Sequence, residues 1–440
     1  MTAGKRPWVP RRRATARPFC AGLVAVLLVL AAPARAGDSR SAAGPALGAS
    51  VEELLAIVHR MNPELVAMAL DADAAAARVE AADKLPDPKF TLRYDEWPRS
   101  ATGYGPSFSK IGTVKYELSQ DIPLGGKLDL KREQALAEHR GAQGQRRATA
   151  LELAMRVKIV YAEYHQAHQA IEQLGTVKAI VTRLGQFALT RYGQGLGTQL
   201  DAIQADLERK DLENELVRMT LERRQARFRL NALLNRPAEA PLVETPRPRP
   251  VPAAARIDVD ALVERGRRAN PVLQTQQAKI DAADRGRDLA DRSWVPDIGL
   301  GVGVVQKDGR LDAYEAMVEV NIPLQWGLRE AQRREAAAMA GAARARLAQA
   351  DRQFEADLHQ ASASFQAAQD RETILREGLV PQAEAALQSA TKSYEQGLTE
   401  FVTVLEAERR LRNTHLDHLK IQLEQQMRLA EIERLIGGDL

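Results

Sequence analysis

Two histidine pairs, His165/His168 and His415/His418, are the side chains whose type and spacing come nearest to metal chemistry. Positions i and i+3 share one face of a helix, so either pair could offer two ring nitrogens to one ion. Solvated helix histidines are the expected reading, and no metal site is assigned. No nucleophile elbow, phosphate-binding P-loop or zinc-protease helix motif occurs. "GLGVGVV" (299–305) lacks the G-x-G-x-x-G spacing of a nucleotide loop, and its glycines alternate as they would along a strand. No catalytic residue and no cofactor is expected. What stands out is a phrase spoken twice: "GQGLGTQLDAIQA" (193–205) directly after Tyr192, and "EQGLTEFVTVLEA" (395–407) directly after Tyr394. The chemistry there belongs to the backbone. Glycine lets a chain turn with φ > 0 and bares peptide groups to a partner. One such glycine is as readily an ordinary helix end, but two, each followed by leucine, favour a docking surface. Asp201 is either a member of a charge ring gating a pore, if symmetry repeats it, or a plain surface carboxylate.

The elements that position these phrases begin after residue 36. Residues 1–36 combine a basic start, the apolar run "FCAGLVAVLLVLAA" and the small-residue site Ala34-Arg35-Ala36, which together read as a secretion signal. The apolar run is too short for a confident membrane span. The whole chain has 440 residues and a formal charge of +4. The first 36 carry seven Lys/Arg and no acid, so the remainder holds 55 basic against 58 acidic residues. A nucleic-acid partner thereby loses its electrostatic support. Cys20, the only cysteine, leaves with the signal, so neither disulfide nor thiol chemistry is expected. Few aromatics and abundant Ala, Leu, Gln, Glu and Arg point to long helices.

The remainder is two halves. "ASVEELLAIVHRMNPEL" (49–65) matches "IDVDALVERGRRANPVL" (257–273), and "LSQDIPLGGKL" (118–128) matches "VEVNIPLQWGL" (318–328). We place the first repeat at 37–235, with strands at about 88–98 and 111–122 and a tip near 193–197. A proline-rich linker follows at 236–257. The second repeat spans 258–440, with strands at about 296–306 and 312–324 and a tip near 395–399. Ser50 with Glu53, and Asp258, read as helix N-caps. Ile298, Leu300, Val302 and Val304, then Tyr314, Val318, Val320 and Ile322, alternate with small or polar residues, which is the period of a strand. Asp308-Gly309 closes that pair tightly, and residues 98–110 close the first with a longer loop. After each hairpin the pattern turns helical. Lys127 to Tyr192 contains no proline, and such a helix reaches about 100 Å. The return through Leu196, Leu200, Ile203 and Leu207 reads as a coiled-coil seam between paired helices. Pro381 should break or kink the second outgoing helix.

Strands of about ten residues with one apolar face suit an outer-membrane barrel, and Trp294 and Trp326 flank them where an aromatic girdle would lie. The plainer alternative is two soluble hairpins packing their apolar faces on each other; four strands cannot close a barrel, so the barrel reading needs several copies to share it. The signal, the duplicated order of elements, "LPDPKF" before the first strand, "QDIPLGGK" after the second and Tyr-x-x-Gly-Leu at the tips together resemble the TolC-type outer-membrane efflux channel family. The resemblance covers nearly all of the chain after the signal. It implies a mainly α fold with a β-barrel contribution: duplicated halves, each a β-hairpin plus a long helical hairpin, in a homotrimer whose twelve-stranded barrel continues into a periplasmic helical tunnel. It implies a passive exit duct in the outer membrane, surrounded by lipid and supplied by an inner-membrane pump through a periplasmic adaptor. The family's tip motif falls on Tyr192, Gly195, Leu196, Asp201 and Ala205, and again on Tyr394, Gly397, Leu398 and Ala407, with Thr403 opposite Asp201; there the adaptor docks. The strand residues Ile298, Leu300, Val302, Val304, Tyr314, Val318, Val320 and Ile322 then face lipid. Relatives with a lipid anchor carry it on a cysteine after the signal, a position this chain does not fill. The alternative is a periplasmic helical-hairpin adaptor without a pore. The cargo, the pump and the gating residues are not legible.

Overall fold

The computed structural model describes residues 47–95, 112–252 and 258–440; the signal segment 1–36 and the loop 98–110 lie outside them. Each half opens with a pair of short helices hinged on an Asn-Pro step. In α1 (Val51–Met61) and α2 (Pro63–Ala82), Ser50 caps the first and Asn62 the second, accepting from the Glu64 N–H at 2.8 Å. In α5 (Val259–Ala269) and α6 (Pro271–Asp291), Asp258 and Asn270 do the same, Asn270 accepting from Val272 at 2.8 Å. Proline suits the first helical position, where its missing N–H has no intrahelical partner in any case. Both asparagines are buried, and each side-chain amide donates to a carbonyl at the far end of its half: Asn62 to Leu233 at 2.9 Å, Asn270 to Leu435 at 3.0 Å. The duplication extends to single hydrogen bonds.

Strands β1 (Lys89–Asp95), β2 (Thr113–Ile122), β3 (Asp297–Lys307) and β4 (Arg310–Asn321) form one antiparallel sheet in sequence order. Its central pairing, β2 with β3, joins the two halves. Helix α3 (Lys127–Gly193) runs 67 residues without interruption and returns as α4 (Gln199–Leu233). In the second half α7 (Trp326–Ile374) leads through a π-turn, Leu375–Leu379, into α8 (Val380–Glu395), and α9 (Phe401–Ile436) returns. The expected break at Pro381 is therefore a π-turn. Proline lacks an N–H and its ring crowds the carbonyl four residues back; widening the preceding turn by one residue moves that carbonyl aside and the helix continues.

The core repeats as well. Leu54 and Val58 of α1, Val157 and Tyr161 of α3 and Leu230 of α4 form one cluster; Leu262 of α5, Leu358 and Phe365 of α7 and Ile432 of α9 form its counterpart. The linker is pinned along α3, where the Tyr164 hydroxyl donates to the Val243 carbonyl at 3.0 Å. Buried Lys158 of α3 and Arg249 of the linker both hold Glu433 of α9, the lysine at 2.9 Å. The predicted seam on α4 needs correction. Leu196, Leu200, Ile203 and Leu207 are exposed, and the residues buried on α4 are Ala205, Glu208, Leu212, Met219, Ala226, Leu230 and Asn231. The helix carries two apolar stripes, and heptad spacing marks a stripe without saying which neighbour covers it. Among the described residues no helix is long and apolar enough to cross a membrane.

Candidate functional site

The two tips turn by the same backbone device. Gly195 (φ +72°) and Gly397 (φ +74°) adopt the left-handed conformation. Each donates its N–H to the tyrosine carbonyl three residues back, Tyr192 or Tyr394, at 3.0 Å. The following leucines reach five back, Leu196 to Arg191 at 2.9 Å and Leu398 to Ser393 at 2.8 Å. This paired pattern satisfies the last helical carbonyls and requires a residue that tolerates positive φ. Leu196 and Leu398 are left 65% and 75% exposed, beside bare turns.

The tyrosines differ. Tyr192 is 48% exposed and Tyr394 only 3%. The Tyr394 ring packs against Phe187 and Phe401, with centroids at 5.9 and 5.2 Å. The Arg191 guanidinium lies 5.0 Å from the same centroid and donates to the carbonyls of Tyr394 and Leu196. The Tyr394 hydroxyl donates to Asp201 Oδ2 at 3.2 Å. Burial, and then the Asp201 charge, push the phenol up to about 12, so it remains a donor throughout the physiological range. Asp201 also accepts from Thr198 Oγ1 at 2.7 Å; it is held on both sides. Arg191, Tyr394 and Asp201 thus fasten one tip to the other. Of the predicted residues, Asp201 and Tyr394 meet, whereas Tyr192, Leu196 and Leu398 point outward. Arg191, Phe187 and Phe401 were not foreseen. The available signal was an inequality between the repeats, since Arg191 corresponds to Ser393.

The sheet register sorts every strand side chain by face. Ile298 pairs Val320, Leu300 pairs Val318, Val302 pairs Ala316 and Val304 pairs Tyr314. Across the next ladder Tyr116 pairs Val304 and Leu118 pairs Val302, and Phe90 pairs Leu118. Directly paired residues share a face, so one apolar face runs across all four strands, and Ile322 continues it just past β4. Tyr314 is 80% and Val318 69% exposed there, while Ile298 and Val304 are half-buried. The other face carries Lys115 paired with Glu315 at 2.9 Å and Lys89 paired with Asp121 at 2.6 Å. It also carries Gly299, Gly301 and Gly303; a Cβ at Gly303 would come within 2.9 Å of the Tyr116 carbonyl oxygen. Among the described residues, the outer edges of β1 and β4 have no partner strand. Trp294 and Trp326 pack edge to face, 5.4 Å apart, at the helical end of β3 and β4.

The histidines are less solvated than expected. His168 is buried, with Nε2 at 3.6 Å from Glu172 Oε1, and His165 beside it is pushed down by burial. His418 lies 3.2 Å from Glu372 and His415 3.7 Å from Glu384, both across the seam of α9 with the outgoing helix. Heptad helices pack on more than one side, which covers positions that a single stripe would leave wet. No group of three or more His, Cys, Asp or Glu among the described residues is arranged to hold a metal ion.

Residues 54–236 and 262–438 match the family described as Outer membrane efflux protein. The chain is 24% identical over 420 residues to the cobalt-zinc-cadmium resistance protein CzcC of Cupriavidus metallidurans, covering 90% of this chain and 91% of that one. It is 29% identical over 248 residues to the fusaric acid resistance protein FusA of Burkholderia cepacia, 51% of this chain and 44% of that one. Its fold superimposes on the outer-membrane channel OprN with a TM-score of 0.77 at 19% identity, over 88% of this chain and 90% of that one.

Proposed function

Because the chain belongs to the outer membrane efflux protein family, we infer that it is the outer-membrane channel component of a tripartite efflux system, working as a homotrimer with a periplasmic adaptor and an inner-membrane pump. One observation carries this reading: a sheet with one largely apolar face, broken by Gln120 opposite Leu300 and Gln306 opposite Val114, and outer edges on β1 and β4 that have no partner strand among the described residues. Unpaired backbone groups are not tolerated in hydrocarbon, so such a sheet suits lipid only when other copies complete it. Three copies of the four strands make a twelve-stranded wall, with Ile298, Leu300, Val302, Val304, Tyr314, Val318, Val320 and Ile322 toward lipid. The charged and glycine-bearing face then lines the pore. An adaptor without a pore has no use for this face, which argues against that reading.

In the same arrangement the tips form the periplasmic entrance, where Tyr192, Gly195, Leu196, Gly397 and Leu398 meet the adaptor and Tyr394 with Asp201 braces the turn behind them. The duct supplies no energy and no chemical selection. The two curated relatives are named for resistance to metal ions and to fusaric acid, which fits a cargo chosen by the pump. Membrane fractionation with gel mobility before and after heating tests the reading. A trimer extracted from the outer membrane only by detergent, collapsing to a monomer band on boiling, is expected; a detergent-independent monomer overturns it.

A further inference from the structure

Two turns up from the tips, the joint between the helical hairpins encloses two carboxyl groups. Glu208 of α4 and Glu408 of α9 are each 1% exposed. They are served unequally. Glu208 accepts from Arg409 Nε at 2.7 Å and from Arg412 Nη1 at 2.6 Å. Among the described residues, Glu408 has no hydrogen-bond donor on either oxygen. Arg412 Nη1 lies 3.7 Å from it but is already turned to Glu208. Also on α4, Asp211 acts on Arg409, and Arg209 beside Glu208 is paired with Asp206 and Glu213. Helices α3 and α8 supply apolar neighbours to this part of the joint, among them Leu184, Ala188, Ala383 and Leu387. The next titratable pair, His415 and Glu384 at 3.7 Å, is two turns farther along α9.

A buried carboxylate without donors is costly, and two carboxyls in one site favour a shared proton. We propose that Glu208 and Glu408 share one proton and so form an acid-tightened latch between the two hairpins, holding the tips together in mildly acidic surroundings and releasing them as the surroundings become neutral. Burial pushes Glu408 up to about 7, with the Glu208 charge adding to the effect and Arg412 and Arg409 opposing it. Burial also acts to raise Glu208, but the hydrogen bonds from Arg409 and Arg412 outweigh it and hold that group below its ordinary value. The signs follow. Where the hairpins part, Glu408 meets water and returns to the ordinary carboxyl range, so its contribution to the joint is full below that range and is lost as pH rises through about 7. Glu208 acts oppositely, and its contribution is lost in stronger acid as pH falls through its lowered value. The latch is firmest in the mildly acidic window between them.

This regulation rests on the tips being the channel entrance, but its test needs no transport. Full-length trimers in lipid nanodiscs carry spin labels at Lys210→Cys on α4 and Glu406→Cys on α9, both exposed positions. Distances are measured at about pH 5.5 and about pH 8, on either side of the titration. The expected result is a narrow distribution in acid that broadens at the higher pH, and a Glu408→Gln variant that stays narrow at both. An unchanged wild-type distribution overturns the latch, as does a Gln variant that still broadens; failure to form a lipid-spanning trimer overturns the channel reading instead. If Glu408→Gln does not assemble, the infrared spectrum of the wild-type trimer decides. A buried protonated-carboxyl band present in acid and bleached at the higher pH supports the latch, and its absence in acid ends it.

Discussion

Gly195 and Gly397 turn the chain identically, whereas Tyr192 and Tyr394 have taken separate roles. The turn was legible because a positive φ is a local demand that glycine meets. The brace was not, because Arg191, Asp201 and Tyr394 meet only after two helices about 200 residues apart are folded together. Replacing both glycines with valine forces left-handed backbone on a branched side chain, at about 1–2 kcal/mol each. The double variant should still assemble as trimers on unheated gels and should lose export, measured as susceptibility to the cargo. Tyr394→Phe removes a single hydrogen bond, worth about 0.5–1.5 kcal/mol, and keeps the ring stack. It should loosen the tips, read as higher single-channel conductance in planar bilayers at an unchanged amount of trimer.

Among the elements, the start of each half was the most legible, since the Ser50–Glu53 box and the Asp258 cap act within one turn, whereas the division of that head into two helices at the Asn-Pro step came only with the fold. The second use of each asparagine was hidden: its side-chain amide closes the half on Leu233 or Leu435. Asn62→Ala and Asn270→Ala each lose a cap of about 1 kcal/mol and leave a carbonyl unserved, part-buried at Leu233 and buried at Leu435. Each should lower the melting temperature of the trimer, and the double variant should lower it by about the sum, because the two sites share no partner. The α4 stripe misled for the opposite reason. Leu200, Ile203 and Leu207 keep perfect heptad spacing, yet among the described residues nothing in the same chain covers them. Pro381 likewise announced a disturbance without its form, since a kink and a π-turn relieve the same crowding.

For the whole molecule, the strand alternation was enough to predict faces, while the register that aligns them across four strands came only with the fold. Substitutions on the two faces should separate cleanly. Val302→Lys places a charge on the apolar face proposed to meet lipid, at about 2–4 kcal/mol near mid-bilayer, and should deplete trimers from outer-membrane fractions. Glu315→Gln on the other side should leave trimer yield unchanged, as the pair with Lys115 is partly solvated. The central β2–β3 pairing carries one more implication. In the proposed trimer, strand β4 of one copy meets β1 of the next in the same antiparallel sense in which β2 meets β3 within the chain, so the wall is indifferent to whether neighbouring hairpins share a polypeptide. Six unlinked half-length chains would enclose the same ring. Fusing them in pairs reduces the number of subunits to be recruited, and it frees one hairpin of each pair to keep its tyrosine outward while the other draws its own inside.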